Sequence, residues 1–248
     1  MDPDVVLLAL DLYHPGRHRL HRLDRCLADA GNHVVCVDID QRKIDMLARG
    51  ETPIFEPGLD VLLARNTEAG RLRFTRDLAT AIDGADAVFL AVGTPTRRGD
   101  GHADVSYLLA AAEEVAGAAK DYVVIVTKST VPVGTNRKLA AVVKAANPAL
   151  DFDVASNPEF MREGAAIDDF MRPDRVVVGC DQDADFKILR RVYSQFVNHV
   201  RIRYIETTPE TAESIKYMAN ALLLTYISFW NGVGGRLAET FDNVRMED

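Results

Sequence analysis

The chain has 248 residues, of which 48% are hydrophobic and 27% charged, and its formal net charge is −8 at pH 7. That apolar content excludes a disordered tract, and no apolar run reaches the roughly 18 to 20 residues that a membrane-spanning helix needs. Net acidity weighs against nucleic acid as the partner, and a start at Met1 to Asp4 without a basic flank points to a cytoplasmic protein with no membrane attachment.

Along the chain, apolar β-rich runs alternate with segments of helical period. The pattern predicts strands at 5–10, 33–38, 73–75, 87–92, 122–128, 152–156, 175–179 and 200–205. Helices are predicted at 42–49, 58–66, 77–82, 105–120, 136–146, 163–170 and 184–197. Because 85–92 and 122–127 are almost continuously apolar, they fit a sheet covered on both faces. The fold class is therefore α/β, a doubly wound Rossmann-like parallel sheet. A last helix is predicted from Thr208 to about Phe241, holding Trp230 and a Gly-Val-Gly-Gly interruption at 232–235. On this pattern 1–206 form a cofactor-binding domain and 207–248 begin a long central helix, with no second domain in this chain.

Cys26, Cys36 and Cys180 show no C-x-x-C spacing, and the histidines offer no helical metal pair, so neither a disulfide framework nor a metal site is predicted. Asp38 ends the second strand, where dinucleotide-binding units place an acid that bonds the adenosine ribose; a helix N-cap would look the same. Lys43 lies one turn further on. Between the first strand and first helix a pyrophosphate needs Gly-x-Gly-x-x-Gly. The chain instead has Pro-Gly-Arg-His-Arg-Leu-His-Arg-Leu-Asp-Arg at 15–25. Three explanations stand: a basic cluster that binds phosphate directly, a solvated loop, or a local frame disruption. Read from the second base of each codon, this stretch can encode Ala-Gly-Thr-Gly-Tyr-Ile-Gly-Leu-Ile-Gly, the missing fingerprint, and the coding DNA tests that.

Further strand ends carry Val-Gly-Thr-Pro at 92–95 and Thr-Lys-Ser-Thr-Val-Pro-Val-Gly-Thr at 127–135, which offer the hydroxyls of Thr94 and Thr130 at the edge where open α/β sheets bind ligands. Turn chemistry and helix capping account for either one taken singly. Glu159 and Glu163, four apart in Asn-Pro-Glu-Phe-Met-Arg-Glu-Gly at 157–164, share a face if the segment is helical and suit acid–base work, with Arg162 as their alternative ion-pair partner. Lys216 and Asn220 share a face of the last helix and together can hold an oxyanion or water.

Eight segments in order resemble the UDP-glucose/GDP-mannose dehydrogenase family: 35–38, 54–59, 91–95, 100–104, 128–135, 157–164, 172–179 and 216–221, within a stretch of about 26 to 231. The resemblance implies NAD-dependent oxidation of the C6 hydroxyl of a nucleotide sugar, UDP-glucose to UDP-glucuronate, through two hydride transfers and a thiohemiacetal on a cysteine. GDP-mannose as substrate and a non-catalytic nucleotide-binding or interaction remnant are the alternatives. By resemblance, Asp38 and Lys43 bind the adenosine side of NAD, and Thr94, Thr130 and Glu163 line its nicotinamide half. The stretch of Glu159, Phe160, Met161, Arg162 and Glu163 lines the sugar, with Glu159 assisting proton transfer and Thr130 positioning water. Lys216 and Asn220 stabilise the alkoxide, and the central helix supports a homodimer. Departures are the lost fingerprint, Tyr226 and Gly232 in the central helix, and the absence of the family's nucleophilic cysteine motif, so a truncated and inactive member is expected.

Overall fold

The computed structural model describes residues 6–11, 20–52, 56–97, 99, 101–162, 164–197 and 199–241. Its strands are β1 (Val6–Asp11), β2 (His33–Asp38), β3 (Leu72–Thr75), β4 (Ala87–Leu90), β5 (Val123–Thr127), β6 (Phe152–Ser156), β7 (Arg175–Gly179) and β8 (Arg203–Thr207). The helices are α1 (Leu20–Asp29), α2 (Gln41–Ala48), α3 (Leu59–Glu68), α4 (Leu78–Ala81), α5 (Ser106–Ala118), α6 (Thr135–Ala146), α7 (Ala166–Met171), α8 (Asp183–Val192), α9 (Ser194–Val197), α10 (Pro209–Phe229) and α11 (Gly235–Thr240). All eight strands form one sheet in the order β3-β2-β1-β4-β5-β6-β7-β8. From β3 to β6 neighbours run parallel, whereas β7 meets β6 antiparallel and β8 follows β7 in parallel.

Strand alternation divides the core. Val34, Cys36, Ala87, Phe89, Val124 and Val126 face a layer that includes α1, α3 and α8, while Val35, Val37, Val88, Leu90, Val123 and Ile125 face α5 and α6. Helix ends follow local chemistry: Asp40 and Asp77 cap α2 and α4, and Thr208 caps α10 ahead of Pro209. Gly179, at the end of β7, is required by close approach, since a Cβ there would lie 2.6 Å from the Thr208 carbonyl oxygen and 2.8 Å from the Ala212 Cβ. It seats α10 against the sheet.

Two local expectations are corrected, and the predicted run of the last helix through Gly-Val-Gly-Gly is met. Helix α1 was hidden by its arginines, yet Leu23, Cys26 and Leu27 repeat at i, i+3, i+4 and are buried. The helix predicted from residue 163 begins only at Ala166, because Gly164 takes φ +81 and breaks helical backbone before it. Around Gly-Val-Gly-Gly the last helix does not stop; it passes through a π-helical turn, Trp230–Gly234, into α11. Among the described residues, no helix is long and apolar enough to cross a membrane.

Candidate active site

The carboxyl ends of β4 and β5 carry the loops that begin the site. Lys128 donates its backbone N–H to the Leu90 carbonyl at 2.9 Å, the Ser129 hydroxyl bonds the Val92 carbonyl, and the Thr94 hydroxyl donates to the Thr130 carbonyl at 2.9 Å. The two loops are thereby fastened side by side. Opposite them stands α10, and between lies a cleft of about 590 Å³ lined by Thr94, Thr130, Glu159, Met161, Lys216 and Asn220. Six residues named from separate stretches of sequence meet at one site.

The remaining candidates are placed differently. Phe160 lies beside the cleft, with its ring centroid 5.0 Å from Nζ of the cleft's Lys216 and 4.4 Å from the guanidinium carbon of Arg175, two cation–π contacts. Arg162 is exposed and pairs with Asp169, its Nη2 lying 2.7 Å from Oδ1, so it braces the turn before α7 rather than lining the cleft. This pair raises the affinity of Arg162 for its proton and lowers the carboxyl of Asp169. Glu163 lies outside the described residues; the residues around it, Asn157 to Arg162 and Ala165, are not helical, so a shared helical face with Glu159 is not what aligns this segment.

At the other end of the sheet Asp38 is 3% exposed and closes β2; its carboxylate accepts from the Asp40 N–H at 2.8 Å and from Lys43 Nζ at 3.0 Å. Asp38 and Lys43, each named for the adenosine side, pair with each other. In the sheet β2 and β4 flank β1, so their ends lie about 10 Å apart at the usual strand spacing of ~4.8 Å. That span suits a dinucleotide laid over the switch point between β1 and β4. The segment that would meet its phosphates, at 12–19, lies outside the described residues. Arg22, which follows it in α1, lines the cleft and pairs through Nε with Glu56 at 2.9 Å, while the other Glu56 oxygen accepts the Ala166 N–H at 3.0 Å. Thus the residues present fit the adenosine and nicotinamide ends of NAD, and an arginine occupies the edge of the phosphate region.

Sequence patterns missed two sets of residues. Glu213, 2% exposed, sends its carboxylate to the start of α6, accepting from Gly134 N at 2.6 Å, Asn136 N at 2.9 Å and Asn136 Nδ2 at 2.7 Å. A carboxylate at a helix N-terminus satisfies orphan N–H groups and favours the dipole, here supplied from a helix 77 positions away. The second set is Lys128, Asn157 and Tyr193, buried together beneath the cleft. The signal was a polar residue ending each of two adjacent buried strands. None of the cysteines is exposed, and burial with nearby carboxylates pushes the thiols of Cys26 and Cys180 far above their usual range. They are inert core residues.

Known proteins of one family share the sequence and fold of this chain. The model for the NAD binding domain of the UDP-glucose/GDP-mannose dehydrogenase family matches residues 23–197. A UDP-glucose 6-dehydrogenase of Rhizobium meliloti is 50% identical over 89% of this chain and 51% of its own, and one of Pseudomonas aeruginosa is 42% identical over 90% and 49%. Among solved structures, a UDP-glucose dehydrogenase from Pyrobaculum islandicum superposes with a TM-score of 0.85 at 36% identity, covering 93% of this chain and 52% of that one. A ternary complex of GDP-mannose dehydrogenase from Pseudomonas aeruginosa gives 0.82 at 30% identity, covering 91% and 51%. The chain spans about half the length of these relatives.

Proposed function

Because the chain belongs to the UDP-glucose/GDP-mannose dehydrogenase family, we propose that it is the cofactor-binding half of an enzyme that oxidises UDP-glucose to UDP-glucuronate. The observation that carries this is the meeting of Lys216 and Asn220 from α10 with Thr94, Thr130 and Glu159 from the strand-end loops across one cleft. NAD, when bound, accepts the hydride. Asp38 accepts hydrogen bonds from the ribose hydroxyls and Lys43 steadies its carboxylate. Thr94 and Thr130 offer polar contacts to the nicotinamide end, and Glu163 adds to them by family resemblance. As the substrate hydroxyl loses its proton, negative charge gathers on the carbinol oxygen, where the Lys216 ammonium and the Asn220 amide stabilise it, and that charge closes the C=O bond as hydride departs. Glu159 receives the proton, Thr130 holds the water of the second oxidation, and Phe160, Met161 and Arg162 shape the sugar side. Arg162 acts there through the turn it braces.

The second oxidation passes through a thiol, and the buried cysteines of this chain cannot supply it. With Arg17, His18, Arg19 and Leu20 also standing where the family's pyrophosphate loop would be, a polypeptide of these 248 residues is expected to make no NADH from NAD and UDP-glucose. It is also expected to self-associate through α10, where Leu222, Leu223, Tyr226 and Phe229 are 71%, 58%, 59% and 56% exposed. A spectrophotometric assay, with GDP-mannose run beside UDP-glucose, and sedimentation velocity on the chain and on Leu223→Asp check both. Steady turnover would overturn the half-enzyme proposal, and a monomer at micromolar concentration would overturn association through α10.

In a chain with a rebuilt glycine loop, Asp38→Ala is expected to reduce the preference for NAD over NADP by at least tenfold. The lost charge-assisted hydrogen bonds are worth about 1.5 to 3 kcal/mol, and the 2′-phosphate is no longer repelled. Titration of both cofactors measures it; an unchanged ratio removes Asp38 from the site.

A further inference from the structure

The sheet has one thin seam. β5 pairs with β6, and β7 with β8, along their whole lengths, whereas β6 and β7 share only the register pair Ser156↔Gly179. Thr94 and Thr130 sit on one side of that seam, α10 with Lys216 and Asn220 packs over both β6 and β7, and the turn bearing Glu159 crosses from one strand to the other.

Beneath the seam Lys128 is 6% exposed, and its Nζ donates to Asn157 Oδ1 at 2.9 Å and to the Tyr193 hydroxyl at 3.2 Å. Tyr193 in turn donates to the same Asn157 oxygen. With two donors on Oδ1, the amide has one sense: Nδ2 points to β7 and donates to the Val177 carbonyl at 2.7 Å, while the Asn157 backbone N–H reaches the Thr127 carbonyl at 2.9 Å. One residue thus joins β5, β6 and β7, and the orientation of its side chain is dictated by an ammonium.

We propose that Lys128 is a positioning residue of the site, fixing the Asn157 amide so that the turn is held against β7 and Glu159 faces Lys216 across the cleft. The proposal rests on the dehydrogenase assignment only for what the positioned groups do. The charge itself costs stability. Three ionisable groups face Lys128: Glu159 from the turn, Lys216 from α10 and Tyr193 from the α8–α9 junction. Burial, opposed by Glu159 and aided by Lys216, lowers its pKa to about 8. A lysine with a depressed folded-state pKa binds fewer protons when folded than when unfolded, so stability rises as pH climbs from about 8 toward the ordinary value of 10.5. A residue kept only for packing would do better uncharged.

Hydrogen exchange by mass spectrometry on the full chain, with thermal melts at pH 7 and pH 10, tests the assignment. In Lys128→Met, exchange across 157–162 is expected to accelerate at least tenfold while 87–90 and 123–127 stay unchanged. The melting temperature at pH 7 is expected not to fall, and the rise in stability above pH 8 is expected to vanish. Tyr193→Phe removes one donor and keeps the ring, and should accelerate the same turn by a smaller factor. Exchange that rises everywhere with a lower melting temperature, or a turn unmoved in both variants, would overturn the positioning role. Neither result bears on cofactor binding, so the dehydrogenase assignment stands or falls separately through the NADH assay.

Discussion

Replacing residues 16–25 by Ala-Gly-Thr-Gly-Tyr-Ile-Gly-Leu-Ile-Gly is expected to raise NAD affinity by about a hundredfold. The change converts Arg17, Arg19 and Arg22 to glycine and lets backbone N–H groups approach the pyrophosphate at the start of α1. Two charge-assisted hydrogen bonds of about 1.5 kcal/mol each give that factor. Arg22 also leaves the edge of the cleft that it lines now.

The same replacement is expected to stabilise the fold, because it removes Asp24 and Arg25, both 0% exposed, from the face of α1 that packs on the sheet. Their side chains meet at a long 3.4 Å between Arg25 Nη1 and Asp24 Oδ1. Substituting apolar residues for a buried ion pair commonly gains about 1 to 4 kcal/mol. The gain has a pH signature. Burial pushes the Asp24 carboxyl upward against the opposing pull of Arg25, so the folded parent binds more protons than the unfolded one and loses stability as pH rises through the carboxylate range. The rebuilt chain should therefore outlast the parent by more at pH 7 than at pH 4. Calorimetric titration with NAD and melts at both pH values are the measurements. Unchanged affinity would show that the loop is not what limits cofactor binding.

Glu213→Ala is expected to cost about 3 kcal/mol and to lower the melting temperature by about 6 to 12 °C, because three donors at the α6 N-terminus, two of them buried, lose a charged acceptor at once. Glu213→Gln keeps one oxygen for Asn136 and should lose less. Circular dichroism melts of the two variants decide it, and a melting temperature within one or two degrees of the parent in Glu213→Ala would sink the claim. The consequence reaches the site: Glu213 stands one turn before Lys216 on α10, so releasing it frees the helix that carries Lys216 and Asn220.

Much of this protein was decided by its sequence alone. Strand runs buried on both faces can only sit in a covered sheet, so 33–38, 152–156 and 175–179 were located to the residue. Thr94, Thr130, Glu159, Lys216 and Asn220 were legible because each follows a buried strand or shares a helical face, and local periodicity fixes both. Tertiary structure alone decided the rest. The antiparallel turn of β7 depends on which strand edge is vacant, and a 3.6 or 2.0 period says nothing about direction. Helix α1 forms although arginines mask it, since packing against the sheet outweighs their cost. Glu213 capping α6 and Lys128 orienting Asn157 join residues 77 and 29 positions apart. Such pairs leave no local pattern, because a buried charge takes its partner from whatever the fold brings near.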